Sequence, residues 1–457
     1  MFSLTAADFK KLRGADLRAF TDLPDDTPVP AVNTDSRTLQ AGQVFWPLIG
    51  ERFDGHSFIA AAFDKKALFC VAQQDRPEVA EEAAGPLLLL PDVLKGLQEL
   101  AASHRRKFGG PLLALTGSNG KTSTKEMIAY ILQRKISLLK TEGNLNNHIG
   151  CPLTLLRLNS GHQAAVVELG TNHFGEIAAL AEIAAPTQAL VTNIGEAHLE
   201  FFKDKETVAK EKLSLFNALP KDGLAFRNAD DPFIAAWPGG AVKTISYGFK
   251  QPADVRAKLK GLDDKGCAMF ELNGAEEIQL HVPGVHQAQN ALAAAAVALQ
   301  YGFTEAEIKD ALEDYRAVQQ RMEVVNVCGR IVINDAYNAN PASMTAAFET
   351  LRRIRLKGKL FLVLGDMLEL GKHSRQWHKT VLQQALRLQP QAIFLIGAEM
   401  KQAAQDAPAS NMRHFDEHRH IAAALMEQAA EGDTIFLKGS RGLQLEKVLD
   451  YLQADLC

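Results

Sequence analysis

Lys121 and Thr122 close a glycine-bounded turn, Gly117-Ser118-Asn119-Gly120-Lys121-Thr122-Ser123, whose spacing suits a triphosphate. Glycines let backbone N–H groups approach phosphate oxygens, and a helix N-terminus adds partial positive charge. A lysine there reaches the β/γ oxygens, and a threonine hydroxyl suits Mg²⁺. The apolar run Leu112–Leu115 reads as a buried strand before the turn. Met127, Ile128, Ile131 and Leu132 read as the inner face of a helix after it, which is the context the motif requires. Leu115 stands where the general pattern G-x-x-x-x-G-K-[ST] has its first glycine, so the loop is a tighter Gly-x-x-Gly-Lys-Thr. The expected ligand is ATP.

Further groups sit where strands should end. Glu168 closes the run Ala164–Leu169, and His198 follows the run Ala189–Ile194. In a doubly wound sheet the carboxyl ends of strands face the ligand crevice, so both are candidate Mg²⁺ ligands; a local hydrogen bond is the plain alternative. The loop Asn144–Gly150 offers Asn146 and Asn147, whose amides suit an amide- or sugar-containing substrate and equally suit a turn. His286 and Asn290, at i and i+4 on one helix face, could meet an adenine edge or cap the helix. Asp335, Tyr337 and Asn338 lie in a strand-end loop, a placement that favours binding, and Arg321 is a candidate for ribose or phosphate. Lys203, Lys205, Lys210 and Lys212 read as a solvated helix face.

The elements that must hold these groups follow from pattern. At 457 residues the chain suggests about three domains. We place them at 1–109, a small mixed α/β unit; 110–317, a central nucleotide-binding unit with a parallel sheet; and 318–457, a Rossmann-like unit. Near-continuous apolar runs mark strands covered on both faces, and the last section repeats them at Arg330–Asn334, Leu360–Leu364, Ala392–Ile396 and Thr434–Leu437. The stretch His104–Pro111 reads as a basic, glycine-ended linker. A net charge of −4 argues against a nucleic-acid partner, and no apolar run is long enough for a bilayer. Five scattered cysteines suit reduced thiols. A cytoplasmic monomer is the expectation.

Taken together, the segments TGSNGKTSTKEM, GNLNNHIGCP and NIGEAHLE, with Thr34-Asp35-Ser36-Arg37 and the stretch Arg52–Phe58, resemble the Mur ligases. These are ATP-dependent amino-acid and peptide ligases of peptidoglycan precursor synthesis. The resemblance runs over essentially the whole chain. YNANP (Tyr337–Pro341), LGDMLELG (Leu364–Gly371) and Lys438–Gly442 resemble the branch that adds D-alanyl-D-alanine to a UDP-N-acetylmuramoyl-tripeptide. Other branches, adding lysine or diaminopimelate, carry an Asp-Tyr-Ala-His type of loop instead.

The resemblance implies that Lys121 and Thr122 hold phosphates and Mg²⁺, and that Glu168 and His198 complete two metal sites. It implies further that Lys212 is carbamylated and supplies an anion for the second ion, and that His286, Asn290, Arg321 and Asp335 surround adenosine. Ser36 and Arg37 would meet the UDP end of the substrate. Arg441 is the candidate for the carboxylate of the incoming dipeptide, from a segment expected to enter a helix near Leu443; a plain ion pair with Asp433 or Glu446 is the alternative. His148, Phe201 and Lys203 depart from the family pattern. A nucleotide-switch ATPase and a non-catalytic UDP-sugar binder are the alternatives from other classes.

Overall fold

The computed structural model describes residues 3–16, 23–50, 53–76, 78, 83–195, 201–202 and 204–456. A nine-stranded sheet forms the middle of the molecule. Six of its seven parallel strands run in the order Leu138–Lys140, Ala164–Glu168, Leu112–Thr116, Gln188–Val191, Leu224–Asn228 and Lys243–Gly248. Val255–Leu262 joins in parallel, and Cys267–Leu272 and Glu276–Pro283 extend the edge as antiparallel hairpins. The parallel core matches the sequence reading; the antiparallel extension was not anticipated. Leu112–Leu115 are wholly buried, as a strand covered by helices on both faces must be.

The C-terminal sheet has six strands, in the order Glu323–Val327, Arg330–Asn334, Thr434–Lys438, Leu360–Gly365, Ala392–Ile396 and Met412–Phe415. All are parallel except the first, which hairpins back from the second. The first and last were missed, since edge strands carry polar residues that blur the apolar run. A four-stranded parallel sheet, Val32–Asn33, Val44–Phe45, Phe69–Gln73 and Leu87–Leu90, lies near the N-terminus.

The stretch read as a linker is structural. His104 to Lys107 form the last turn of the helix Val93–Lys107. The buried Arg105 guanidinium donates to the carbonyls of Ala184 (2.9 Å), Ala185 (3.0 Å) and Phe108 (2.8 Å). It thereby satisfies carbonyls that the helix Glu176–Ala184 leaves open at its end. One continuous apolar core joins Phe9, Trp46 and Phe69 through this helix to Leu112 and Val167 of the central sheet. A second joins the opposite face of that sheet to Phe348 and Leu362 of the C-terminal unit.

Cys70, Cys151 and Cys267 are free and buried, with thiols pushed up to about 12 by burial. Cys328 is disulfide-bonded, so the expectation of reduced thiols fails there. Among the described residues no helix is long and apolar enough to cross a membrane.

Candidate active site

The phosphate-loop turn leaves the central strand Leu112–Thr116 and enters the helix Lys121–Leu132. Gly120 caps that helix at φ 78°, a left-handed backbone that glycine adopts without strain. A Cβ there would stand 2.3 Å from Asn290 Oδ1, so the glycine also permits close approach of the helix Val285–Gln300. Neighbouring strand ends pin the loop. Thr192 Oγ1 and Asn193 Nδ2 donate to the Asn119 carbonyl (2.7 and 2.9 Å), Asn193 Oδ1 accepts from Asn119 N–H (3.0 Å), and Gly195 N–H donates to Ser118 Oγ (2.8 Å). Among the described residues, no protein acceptor takes the N–H groups of Gly120, Lys121, Thr122 or Ser123, and no side chain caps the helix. Four orphan donors at a positive helix end fit a phosphate chain.

Lys121 Nζ donates back to the Gly117 carbonyl (2.9 Å). Burial holds its pKa below the usual lysine range, opposed by the Glu168 charge. Thr122 Oγ1 donates to Glu168 Oε2 (2.9 Å), and Asn146 Nδ2 donates to Glu168 Oε1 (2.8 Å). A hydroxyl beside a carboxylate, with phosphates still to come, is a donor set that suits Mg²⁺. No cluster of three His, Cys, Asp or Glu side chains that could hold a metal occurs among the described residues. His198 and Lys203 lie outside them.

The sequence reading missed Lys125. It is fully buried one turn beyond Lys121, donates to the Thr141 carbonyl (2.6 Å) and pairs with Glu126 (3.0 Å), 3.9 Å from Glu168. Its i+4 spacing from Lys121 was the available signal.

Lys212 does not lie on a solvated face. It sits on the helix Lys205–Asn217 with only 2% of its surface exposed, and no hydrogen bond or ion pair holds it among the described residues. Burial and the neighbouring Lys121 charge push its pKa well below the usual lysine range. Next to it, Glu211 accepts from the N–H groups of Gly175 (2.6 Å) and Ile177 (2.8 Å), at the start of the helix Glu176–Ala184.

The C-terminal unit closes over this loop across a cleft of about 1120 Å³. Arg321 Nη2 donates to Thr122 Oγ1 (2.9 Å), and Asn340 Nδ2 donates to Asn119 Oδ1 (3.0 Å). Asn340 also caps the helix Pro341–Arg353, so a helix N-terminus faces the loop. Asp335 pairs with the buried Lys438 and accepts from Met322 N–H (3.1 Å). His286 lies close enough for both to act on it, while burial lowers its pKa.

Loop residues Ser118 to Ser123, with Asn146, Asn147, Glu168, His286, Asn290, Arg321, Asp335, Tyr337, Asn338 and Arg441, all line this cleft. Gly117 lies beneath the loop, packed against Thr192, and Lys212 lies behind Lys121. Ser36 and Arg37 stand on the N-terminal unit, away from the cleft wall, where Arg37 pairs with Asp35 (2.7 Å). Asn147 Oδ1 accepts from Gly150 N–H (2.8 Å), so that side chain also performs the ordinary turn role. Arg441 Nη1 donates to Gln320 Oε1 (2.9 Å) and pairs with Glu446. The segment from Arg441 makes a single 3₁₀ turn, and the long helix begins only at Glu446. The expected helix start near Leu443 is therefore corrected, because Gln444 adopts a left-handed backbone (φ 51°) that interrupts it.

Comparison with known proteins agrees with this geometry. The Mur ligase middle domain matches residues 115–298, and the Mur ligase, glutamate ligase domain matches residues 320–441. The UDP-N-acetylmuramoyl-tripeptide–D-alanyl-D-alanine ligase of Escherichia coli is 37% identical, over 99% of both chains. A MurF crystal structure from Acinetobacter baumannii superposes with a TM-score of 0.84 at 30% identity, covering 99% of both chains. The MurF ligase of Thermotoga maritima in complex with ADP gives 0.81 at 28% identity, over 94% of this chain and 98% of that one.

Proposed function

The chain belongs to the Mur ligase family, and from that premise we propose that it joins D-alanyl-D-alanine to a UDP-N-acetylmuramoyl-tripeptide at the expense of ATP. One observation carries the reading: an uncapped phosphate loop with its Thr122–Glu168 pair is met across a single cleft by Arg321 and Asn340 of the C-terminal unit. A nucleotide switch needs no second unit opposite its loop; a ligase needs one to deliver the second substrate.

The tripeptide carboxylate takes the γ-phosphoryl group of ATP, giving an acyl phosphate and ADP. The dipeptide amine then attacks the acyl carbon, expels phosphate and loses a proton. Phosphoryl transfer asks the protein mainly to position reactants and to meet negative charge. The amides of residues 120–123 receive phosphate oxygens, and Lys121 adds a cation beside them. Arg321 brings a second cation from the facing unit. Thr122 and Glu168, with His198, would hold Mg²⁺, which when bound would supply positive charge to the phosphates. His286, Asn290 and Asp335 line the adenosine end, Asn146, Asn147 and Asn338 the peptide path, and Ser36 and Arg37 the UDP end. Arg441 grips the dipeptide carboxylate with its planar fork.

Lys212 fits a carbamate. An amine kept neutral by burial adds carbon dioxide and releases a proton, and the resulting anion offsets the charge of Lys121. We take residues 1–109, 110–317 and 318–457 as the three working units, acting as a cytoplasmic monomer with no nucleic-acid or membrane partner. Closure of the units would keep water from the acyl phosphate. The test is phosphate release with purified substrates: release that needs both the UDP-tripeptide and the dipeptide supports the reading, and release from ATP alone refutes it.

A further inference from the structure

Arg321 is presented by a strained bend. Gln320 (φ 61°) and Met322 (φ 55°), on either side of it, both adopt the left-handed backbone that is disfavoured for a non-glycine residue. Such strain persists where the surroundings over-determine it. Here the Gln320 carbonyl accepts from Tyr337 N–H (3.1 Å), Gln320 N–H donates to Glu323 (2.9 Å) and Met322 N–H donates to Asp335 (3.1 Å). The bend is thus bound to the loop that carries Tyr337.

The guanidinium itself is lightly held. Its Nε is buried without a partner, and no carboxylate pairs with it among the described residues. Among the described residues two contacts fix it: Thr122 Oγ1 in the facing unit (2.9 Å), and the Tyr337 ring, whose centroid lies 3.9 Å from Cζ. In the site reading above, the Thr122 hydroxyl would turn to Mg²⁺ when that ion is bound, which would leave the ring as the remaining protein hold on Arg321. Arg441 differs, since Gln320 and Glu446 anchor it and its Cζ lies 6.0 Å from the same ring.

We propose that Tyr337 is a positioning residue, whose ring face holds Arg321 toward the phosphate chain, and that it does not itself read the peptide. The proposal rests on the phosphate role given to Arg321 above. The ring face is the working part, so the phenol oxygen is dispensable.

The test compares Tyr337→Leu, Tyr337→Phe, Arg321→Ala and the double variant Tyr337→Leu/Arg321→Ala, each first shown to melt like the parent. Should the leucine variant melt early, Tyr337→Met replaces it. Readouts are kcat/KM for each substrate and equilibrium binding of a non-hydrolysable ATP analogue with Mg²⁺. Losing a partly desolvated cation–π contact is expected to weaken analogue binding and kcat/KM for ATP by about 3- to 30-fold in Tyr337→Leu. The KM values for dipeptide and tripeptide should not move, Tyr337→Phe should restore binding, and the double variant should be no worse than Arg321→Ala. A raised peptide KM with intact nucleotide binding, or losses that add in the double variant, would overturn the proposal. Intact nucleotide binding in Arg321→Ala would instead refute the phosphate role of Arg321, and the proposal with it.

Discussion

Under the proposed function three charged side chains carry most of the chemistry, and each fails differently when altered. Lys121 is the cation nearest the transferring group, so Lys121→Ala should cut kcat by about 10²–10³ in a protein that still folds; steady-state turnover beside a melting curve checks this. Lys212 is buried beside another cation, with the Glu211 charge opposing these effects but no ion pair among the described residues, a costly arrangement for an ammonium and an acceptable one for a neutral amine or its carbamate. Lys212→Ala should be nearly inactive and partly rescued by added formate or acetate. A crystal structure grown in bicarbonate that shows a bare amine far from metal would defeat the carbamate. Arg441 already has Glu446 and Gln320 as partners, so its readiness for a carboxylate depends on its planar fork. Arg441→Lys should raise the dipeptide KM and leave that of ATP unchanged. Equal shifts for both substrates would return Arg441 to a structural role.

At the scale of elements, the phosphate loop works because strand ends fix it and glycine opens it. Gly120→Ala would put a Cβ 2.3 Å from Asn290 Oδ1 on a backbone that already disfavours it. Stability should fall by about 1–2 kcal/mol from the backbone alone, and calorimetry should find nucleotide binding lost. The helix Val93–Lys107 depends on Arg105 as a strut, and Arg105→Ala strands buried carbonyls at a cost of about 2–3 kcal/mol in denaturant unfolding. The loop was legible in the sequence because its chemistry is local: glycines, lysine and threonine lie within a few residues. Arg105 was not, because a basic stretch before paired glycines has the composition of a linker. Its acceptors, Ala184 and Ala185, come from a distant helix. Lys212 escaped its residue-level reading for the same reason, since nothing in a charged helix announces which lysine faces inward.

For the whole molecule, two apolar cores bind the three larger sheets. One links the N-terminal unit to the central sheet, and the other links that sheet to the C-terminal unit. The cleft between the last two is where separation in sequence vanishes: Arg321 reaches Thr122 across 199 residues, and Asn340 reaches Asn119 across 221. Local motifs named these residues as candidates, but only the fold supplies their pairing. In the proposed function both sides of this cleft serve one ligation. This is tested most directly by incubating the protein with Mg²⁺, ATP, UDP-N-acetylmuramoyl-tripeptide and D-alanyl-D-alanine, omitting each in turn, and measuring phosphate release and the mass of the UDP product together. Ligation should yield phosphate and a UDP-pentapeptide in equal amounts when all are present, and no pentapeptide when any one is missing. Phosphate release indifferent to the dipeptide, or a product extended by a single amino acid, would contradict it.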